Sequence, residues 1–272
     1  MAKIGLVLAG GGARGAYQIG AWKAFRELGL DKKIVAYSGA SVGSLNAALF
    51  AMDDYDSAYN IWMSLNRDSL FNIEKKLYKR VLKEKLDFFN RGVFDTSELE
   101  QLIDQSIDFD KVRKKDVFVA TTHLGDEKST FFDLLRTNYL HYLKSENQTR
   151  YQNLNELNDN DIKNTLLASC AIPVVFKPIK IGDKTYYDGG LLDNAPYQPL
   201  VDIGCEIIVV IDLFKISFVK KYSAEGVRLI TVHPRRSLRG ILDFNKKYID
   251  RRFELGYKDT MNVLEKNMDI LL

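Results

Sequence analysis

The chain has 272 residues, with 39 Lys and Arg against 36 Asp and Glu, for a net charge of +3. That length suits one large domain and buries enough surface to need no covalent staples. Two cysteines and three histidines exclude a disulfide scaffold and a Cys- or His-rich metal module, and so small a net charge gives no ground for a nucleic-acid partner.

The apolar stretch Ile4 to Ala9 is too short for a signal-peptide core and runs straight into glycines. No run approaches the roughly 18 apolar residues of a membrane span. The expectation is a soluble, cytoplasmic protein that meets membrane only from its periphery.

The first 50 residues predict strand, glycine loop, helix, strand, tight turn, helix. Ile4 to Leu8 is a β-type run. After Gly10-Gly11-Gly12-Ala13-Arg14-Gly15, the residues Tyr17, Ile19, Trp22, Phe25 and Leu28 recur at helical spacing. Ile34 to Tyr37 is a second strand, and Val42 to Met52 a buried helix. This is a βαβ unit, which favours a parallel sheet. Residues 54–165 form a more variable, mainly helical segment, interrupted by a strand over Asp116–Thr122. Within it, 71–89 is a basic amphipathic helix, 131–142 is rich in aromatics, and 144–163 is an exposed polar connection. Leu166 to Ala171 is a short apolar helix stopped by Pro173. Tyr186 to Gly190 is a strand end entering a turn. Glu206 to Leu213 has the apolar run of a central parallel strand, Val227 to Val232 is another strand, and 243–268 is an amphipathic helix. No repeat or linker divides 1–272, so a single domain with its core over 4–213 is expected.

Gly39-Ala40-Ser41-Val42-Gly43 is a G-x-S-x-G motif between a strand and a helix, the setting of a nucleophile elbow. Gly10, Gly12 and Gly15 fit two devices. One is a dinucleotide loop; the other is an oxyanion loop built from backbone N–H groups. A dinucleotide loop wants an acid at the end of the second strand, and Asp31 lies at the wrong end. Adjacent parallel strands would set the Gly10–Gly15 loop and the Ser41 turn at one sheet edge, which favours the oxyanion reading. For a general base, Ser41, Asp212 and His233 follow the chain order of an α/β-hydrolase triad. Yet only one strand and one helix precede the elbow strand, and His233 before Pro234 also reads as an ordinary loop residue.

Together these motifs resemble the patatin-like phospholipases. The resemblance rests on Gly10-Gly11-Gly12-Ala13-Arg14-Gly15, Gly39-Ala40-Ser41-Val42-Gly43, Ala168-Ser169-Cys170-Ala171-Ile172-Pro173 and Asp188-Gly189-Gly190, in that order. It implies a three-layer α/β/α fold with a mostly parallel central sheet. It also implies a Ser–Asp dyad without histidine: Ser41 as nucleophile and Asp188 as base. The reaction implied is hydrolysis of phospholipid or other lipid esters without metal or cofactor. The oxyanion set would be Gly10, Gly11, Gly12 and Arg14, with Gly15, Gly39, Gly43, Gly189 and Gly190 shaping the turns.

An exposed Asp has a pKa of about 3.9 and is a poor base at neutral pH. Burial of Asp188 beside Ser41 would raise it. Arg14 suits either the oxyanion loop or a structural carboxylate or helix end. The 71–89 helix is a candidate contact for anionic lipid, against the commoner reading of a solvated charged face. Cys170 and Cys205 sit in apolar runs and read as packing residues.

Overall fold

The computed structural model describes residues 2–65, 96–123, 148–172, 176–215 and 223–272. The strands β1 (Ile4–Leu8), β2 (Ile34–Ala40), β3 (Asp116–His123), β4 (Gln148–Asn153), β5 (Ile179–Ile181), β6 (Lys184–Asp188), β7 (Ile207–Ile211) and β8 (Arg228–Val232) make one sheet. Its order is β5-β6-β3-β2-β1-β7-β8, with β4 also on β3. From β3 to β8 the strands run parallel, whereas β4 and β6 are antiparallel to β3. β7 is Ile-Ile-Val-Val-Ile, buried throughout, as a strand with neighbours on both edges and layers on both faces must be.

Alternation along β1 separates two cores. Ile4, Leu6 and Leu8 face a large cluster shared with α1 (Ala16–Glu27), α2 (Val42–Ala51), α3 (Tyr55–Ser64), α4 (Ser97–Ser106), α5 (Asp159–Ser169) and α7 (Lys246–Glu265). Val7 and Ala9 face a smaller cluster with Ala195, Leu200 and Cys205, around the short α6 (Gln198–Asp202). The fold is thus α/β in three layers, thick on one side and thin on the other. The α1–α7 contact is close because both helices offer glycine. A Cβ on Gly20 would sit 2.0 Å from the Phe253 carbonyl oxygen, and one on Gly256 would sit 1.9 Å from that of Tyr17.

The polar stretch 144–163 is not simply a connection. It contains β4 and the first turn of α5. Asn158 caps that helix by accepting from the Asp161 amide at 2.9 Å, with Asp159 and Asp161 placed to suit the helix dipole. The apolar helix over 166–171 is therefore the last part of a longer one ending at Ser169. The C-terminal helix spans Lys246–Glu265. The basic helix at 71–89 and the aromatic segment at 131–142 lie outside the described residues. Among the described residues, no helix is long and apolar enough to cross a membrane.

Candidate active site

Ser41 joins β2 to α2 with φ 53° and ψ −132°. A non-glycine residue in this region is strained, as the serine of a nucleophile elbow is. The chain passes so close to β1 here that a Cβ on Gly43 would lie 2.0 Å from the Leu8 carbonyl oxygen. Gly39 faces Gly43 with little room too, since a Cβ there would lie 2.4 Å from the Gly43 carbonyl oxygen. Hydrogen bonds hold the turn from both sides. The Ser41 amide donates to Ser169 Oγ at 2.9 Å, and Ser169 Oγ donates to the Ala120 carbonyl at 2.7 Å. Ser44 Oγ donates to the Ser41 carbonyl at 2.6 Å. The small-residue block ending α5 thus ties the elbow to β3.

β6 brings Asp188 to the same place. Thr121, Thr122 and His123 use one edge for β4, leaving β6 the edge that β2 occupies lower down. β2 ends with Ala40 opposite Ala120, and Asp188 pairs with the next residue, Thr121. Asp188 is buried, and its carboxylate lies close enough to the Ser41 hydroxyl for that group to favour the charged form. Oδ1 accepts the Gly190 amide at 2.7 Å. Burial pushes the carboxyl up to about 7, a rise that the nearby Ser41 hydroxyl and the Gly190 amide oppose. Gly189 allows the turn because a Cβ there would meet the Ala120 carbonyl oxygen at 2.1 Å.

The glycine loop after β1 lies over the serine turn. A Cβ on Gly10 would stand 3.1 Å from Ser41 Cβ. The Gly10 amide is taken, since it donates to the Asn194 carbonyl at 3.0 Å, while Asn194 Nδ2 donates back to the Gly10 carbonyl at 3.3 Å. The Ala13 amide donates to the Ile241 carbonyl at 2.7 Å. Among the described residues, the Gly11 and Gly12 amides have no acceptor. Gly12 has φ +56°, and the Ile241 carbonyl oxygen lies only 2.2 Å from where its Cβ would begin. Gly15 gives space to the Trp62 ring. Arg14 works as a brace. It donates from Nε to the Arg239 carbonyl at 2.7 Å and from Nη1 to the Leu213 carbonyl at 3.4 Å, and it lies over the Phe214 ring.

A cavity opens beside Ser41 and Gly12. Its walls are apolar and come from scattered parts of the chain: Leu45, Leu99, Ile172, Phe176, Leu242 and Phe244. Cys170 also lines it, with its thiol pushed up by burial.

The Ser41–Asp212–His233 set is not brought together. Asp212 and His233 follow β7 and β8, and both β1 and β7 lie between β2 and β8. That puts the His233 strand roughly 14 Å from the Ser41 strand, at the usual strand spacing. His233 Nδ1 stands 3.9 Å from Asp212 Oδ2. The dinucleotide reading also loses ground. The Ala13 amide, at the start of the helical run, is already held by Ile241. Among the described residues, no group of three or more His, Cys, Asp or Glu side chains is placed to hold a metal.

Sequence reasoning did not single out Asn194, Ser169 as an individual ligand of the elbow, or Leu242 and Phe244 as cavity walls. For Asn194 the available signal was its place just after the Asp188 turn, in the cluster Asp193-Asn194-Ala195-Pro196.

A strained serine turn, a buried carboxylate beside it and a glycine loop with two amides unclaimed among the described residues define the serine-elbow class of α/β proteins. The chain belongs to the patatin-like phospholipase family, whose pattern matches residues 6–201. It is similar to the lysophospholipase nte1 of Aspergillus terreus, at 27% identity over 215 residues, covering 77% of this chain and 12% of that protein. It is also similar to the lysophospholipase NTE1 of Cryptococcus neoformans, at 26% identity over 220 residues, covering 78% of this chain and 11% of that one. The chain therefore spans about a tenth of the length of these curated relatives. In fold it resembles human GIVD cytosolic phospholipase A2, with a TM-score of 0.58, 9% identity and coverage of 99% of this chain and 60% of the other. The type III effector ExoU gives a TM-score of 0.53 at 16% identity, covering 98% and 53% of the two chains.

Proposed function

We propose that the chain is a serine hydrolase of lipid carboxylic esters, working through a Ser41–Asp188 dyad. The observation that carries this reading is the juxtaposition of the strained Ser41 turn, which lines an apolar cavity, with the buried Asp188 carboxylate, set beside it by the register of β2 and β6 on β3. Family membership and the names of the fungal relatives support a phospholipid or lysophospholipid ester as substrate.

In the proposed reaction, Ser41 Oγ attacks the ester carbonyl carbon as its proton passes to Asp188. The carbonyl oxygen becomes an oxyanion, held by the Gly11 and Gly12 amides. The C–O bond to the alcohol breaks, and Asp188 returns the proton to the leaving oxygen. Water then attacks the acyl-enzyme with Asp188 as base again, releasing a fatty acid and free Ser41. The acyl chain lies in the cavity. Two prearranged amides are a large part of the rate, since one such donor is worth about 2.7–4 kcal/mol.

The test is intact-mass detection of a fluorophosphonate adduct, paired with hydrolysis of p-nitrophenyl esters. Wild type should take one label and release p-nitrophenol. Ser41→Ala should do neither, and Asp188→Asn should lose at least about a hundredfold in rate. Full hydrolysis by either variant would sink the dyad.

A further inference from the structure

The part of the chain beyond the family match builds one side of the site. The match stops at residue 201. Leu242 and Phe244 nevertheless line the cavity beside Ser41. The Ile241 carbonyl fixes the Ala13 amide and presses against Gly12. Arg14 reaches the Arg239 carbonyl from the other side. Two loops, 10–14 and 238–244, are therefore laced together by the Ala13 amide and the Arg14 side chain, each donating to a main-chain carbonyl.

A buried cation sets the shape of the second loop. Arg252, on α7, is 1% exposed. Its guanidinium donates to the carbonyls of Leu238 at 2.9 Å, Gly240 at 2.9 Å, Asp243 at 2.6 Å and Ala13 at 3.1 Å. Every hydrogen-bond acceptor it has among the described residues is a main-chain carbonyl. Three of them belong to the 238–243 loop, and the fourth belongs to the residue after Gly12. Burying a guanidinium costs far more than burying an apolar side chain of like volume. Packing alone does not call for it. A rigid fork of five donors does something an apolar side chain cannot: it gathers several carbonyls and holds a loop in one shape.

We infer that Arg252 is a positioning residue for acyl transfer: it holds the 238–243 loop in the shape that seats Ile241 against Gly12 and Ala13. In that shape the Gly11 and Gly12 amides stay free beside Ser41, and Leu242 and Phe244 wall the cavity. The inference rests on the serine-hydrolase reading, and it adds a residue from outside the matched span to the working site.

The experiment uses the full chain carrying Arg252→Lys, which keeps the charge but cannot serve four carbonyls at once. It has two readouts at a temperature where circular dichroism shows the variant folded. The first is fluorophosphonate labelling of Ser41, followed to its end point. The variant should still reach one label per chain, but on the order of tenfold to a hundredfold more slowly, the range for misplaced oxyanion donors. A purely structural role would instead lower the end point and leave the rate per reactive chain unchanged, and that result overturns the inference. The second readout is hydrogen–deuterium exchange. Peptides covering 9–16 and 236–245 should exchange faster in the variant, while β7 stays unchanged. Exchange and labelling both at wild-type rates would overturn the clamp alone. A wild type that takes no label would overturn the hydrolase reading, and with it the catalytic purpose of the clamp.

Discussion

Ala40 and Asp188 hold consecutive places on one edge of β3. Ala40 pairs with Ala120 in parallel, and Asp188 pairs with Thr121 in antiparallel. β6 therefore meets β2 nearly end to end, and Ser41 turns away at the junction. The serine and the carboxylate come from opposite chain directions and meet where one strand stops and the other begins. Sheet register sets their separation, so loop motion has little hold on it.

The carboxyl of Asp188, raised to about 7, predicts a pH profile. A general base works only when deprotonated. The rate of Ser41 acylation should therefore rise with pH through about 7 and level off above it. Stopped-flow acylation with a soluble p-nitrophenyl ester between pH 5 and 9 reads this directly. A plateau already complete near pH 5 would mean that burial does not raise the Asp188 carboxyl.

The same group costs stability. Its unfolded pKa is about 3.9 and its folded value about 7, so the fold binds this proton more tightly than the unfolded chain does. Stability from this site is fully present below about pH 4 and is lost as pH rises through about 7, by on the order of 4 kcal/mol. Asp188→Asn removes the titration while keeping an acceptor for the Gly190 amide. The variant should be more stable than wild type at pH 8, with the gap closing toward pH 5, as read from urea midpoints at each pH.

Ser169 should matter without touching substrate. It accepts the Ser41 amide and donates to the Ala120 carbonyl, and all of these groups are buried. Ser169→Ala leaves one donor and one acceptor unsatisfied, at a cost of about 2–4 kcal/mol in denaturant unfolding. With the strained turn no longer anchored, fluorophosphonate labelling of Ser41 should slow by about tenfold. A stable, fully reactive variant would show that the turn holds itself.

Leu99 is a wall of the cavity supplied by α4. Leu99→Trp should fill part of the space and shift preference toward short acyl chains. The kcat/KM for p-nitrophenyl palmitate should fall at least about tenfold relative to butyrate, the scale set by burying several methylenes. An unchanged ratio would place the acyl chain elsewhere.

What was legible in the sequence is what is local. The three glycine motifs and the five apolar residues of β7 each carry their structure within a few positions. β4 was hidden because it is a polar strand: Gln148 to Asn153 offers no apolar alternation to read. The start of α5 was hidden because capping residues are the same polar types that fill loops. Asn194 and Arg252 act on residues 184 and 239 positions away, and no spacing rule connects such partners. The resemblance implied aspartate in place of histidine, but only the register of β6 explains how an aspartate could reach the serine.

The crossing of α1 and α7 at Gly20 and Gly256 has a bearing on how the molecule is made. Synthesis delivers the elbow and Asp188 many residues before it delivers α7. A nascent chain can pair β1, β2, β3 and β6 while α1 still lacks the partner that its glycine was shaped to receive. The loop before α7 and the helix itself arrive after them, as a bolt slid across a door already hung. The 10–14 loop thereby waits for α7 before it meets the Ile241 carbonyl and Arg252, and a chain stalled part-way carries the serine turn and the carboxylate without that support.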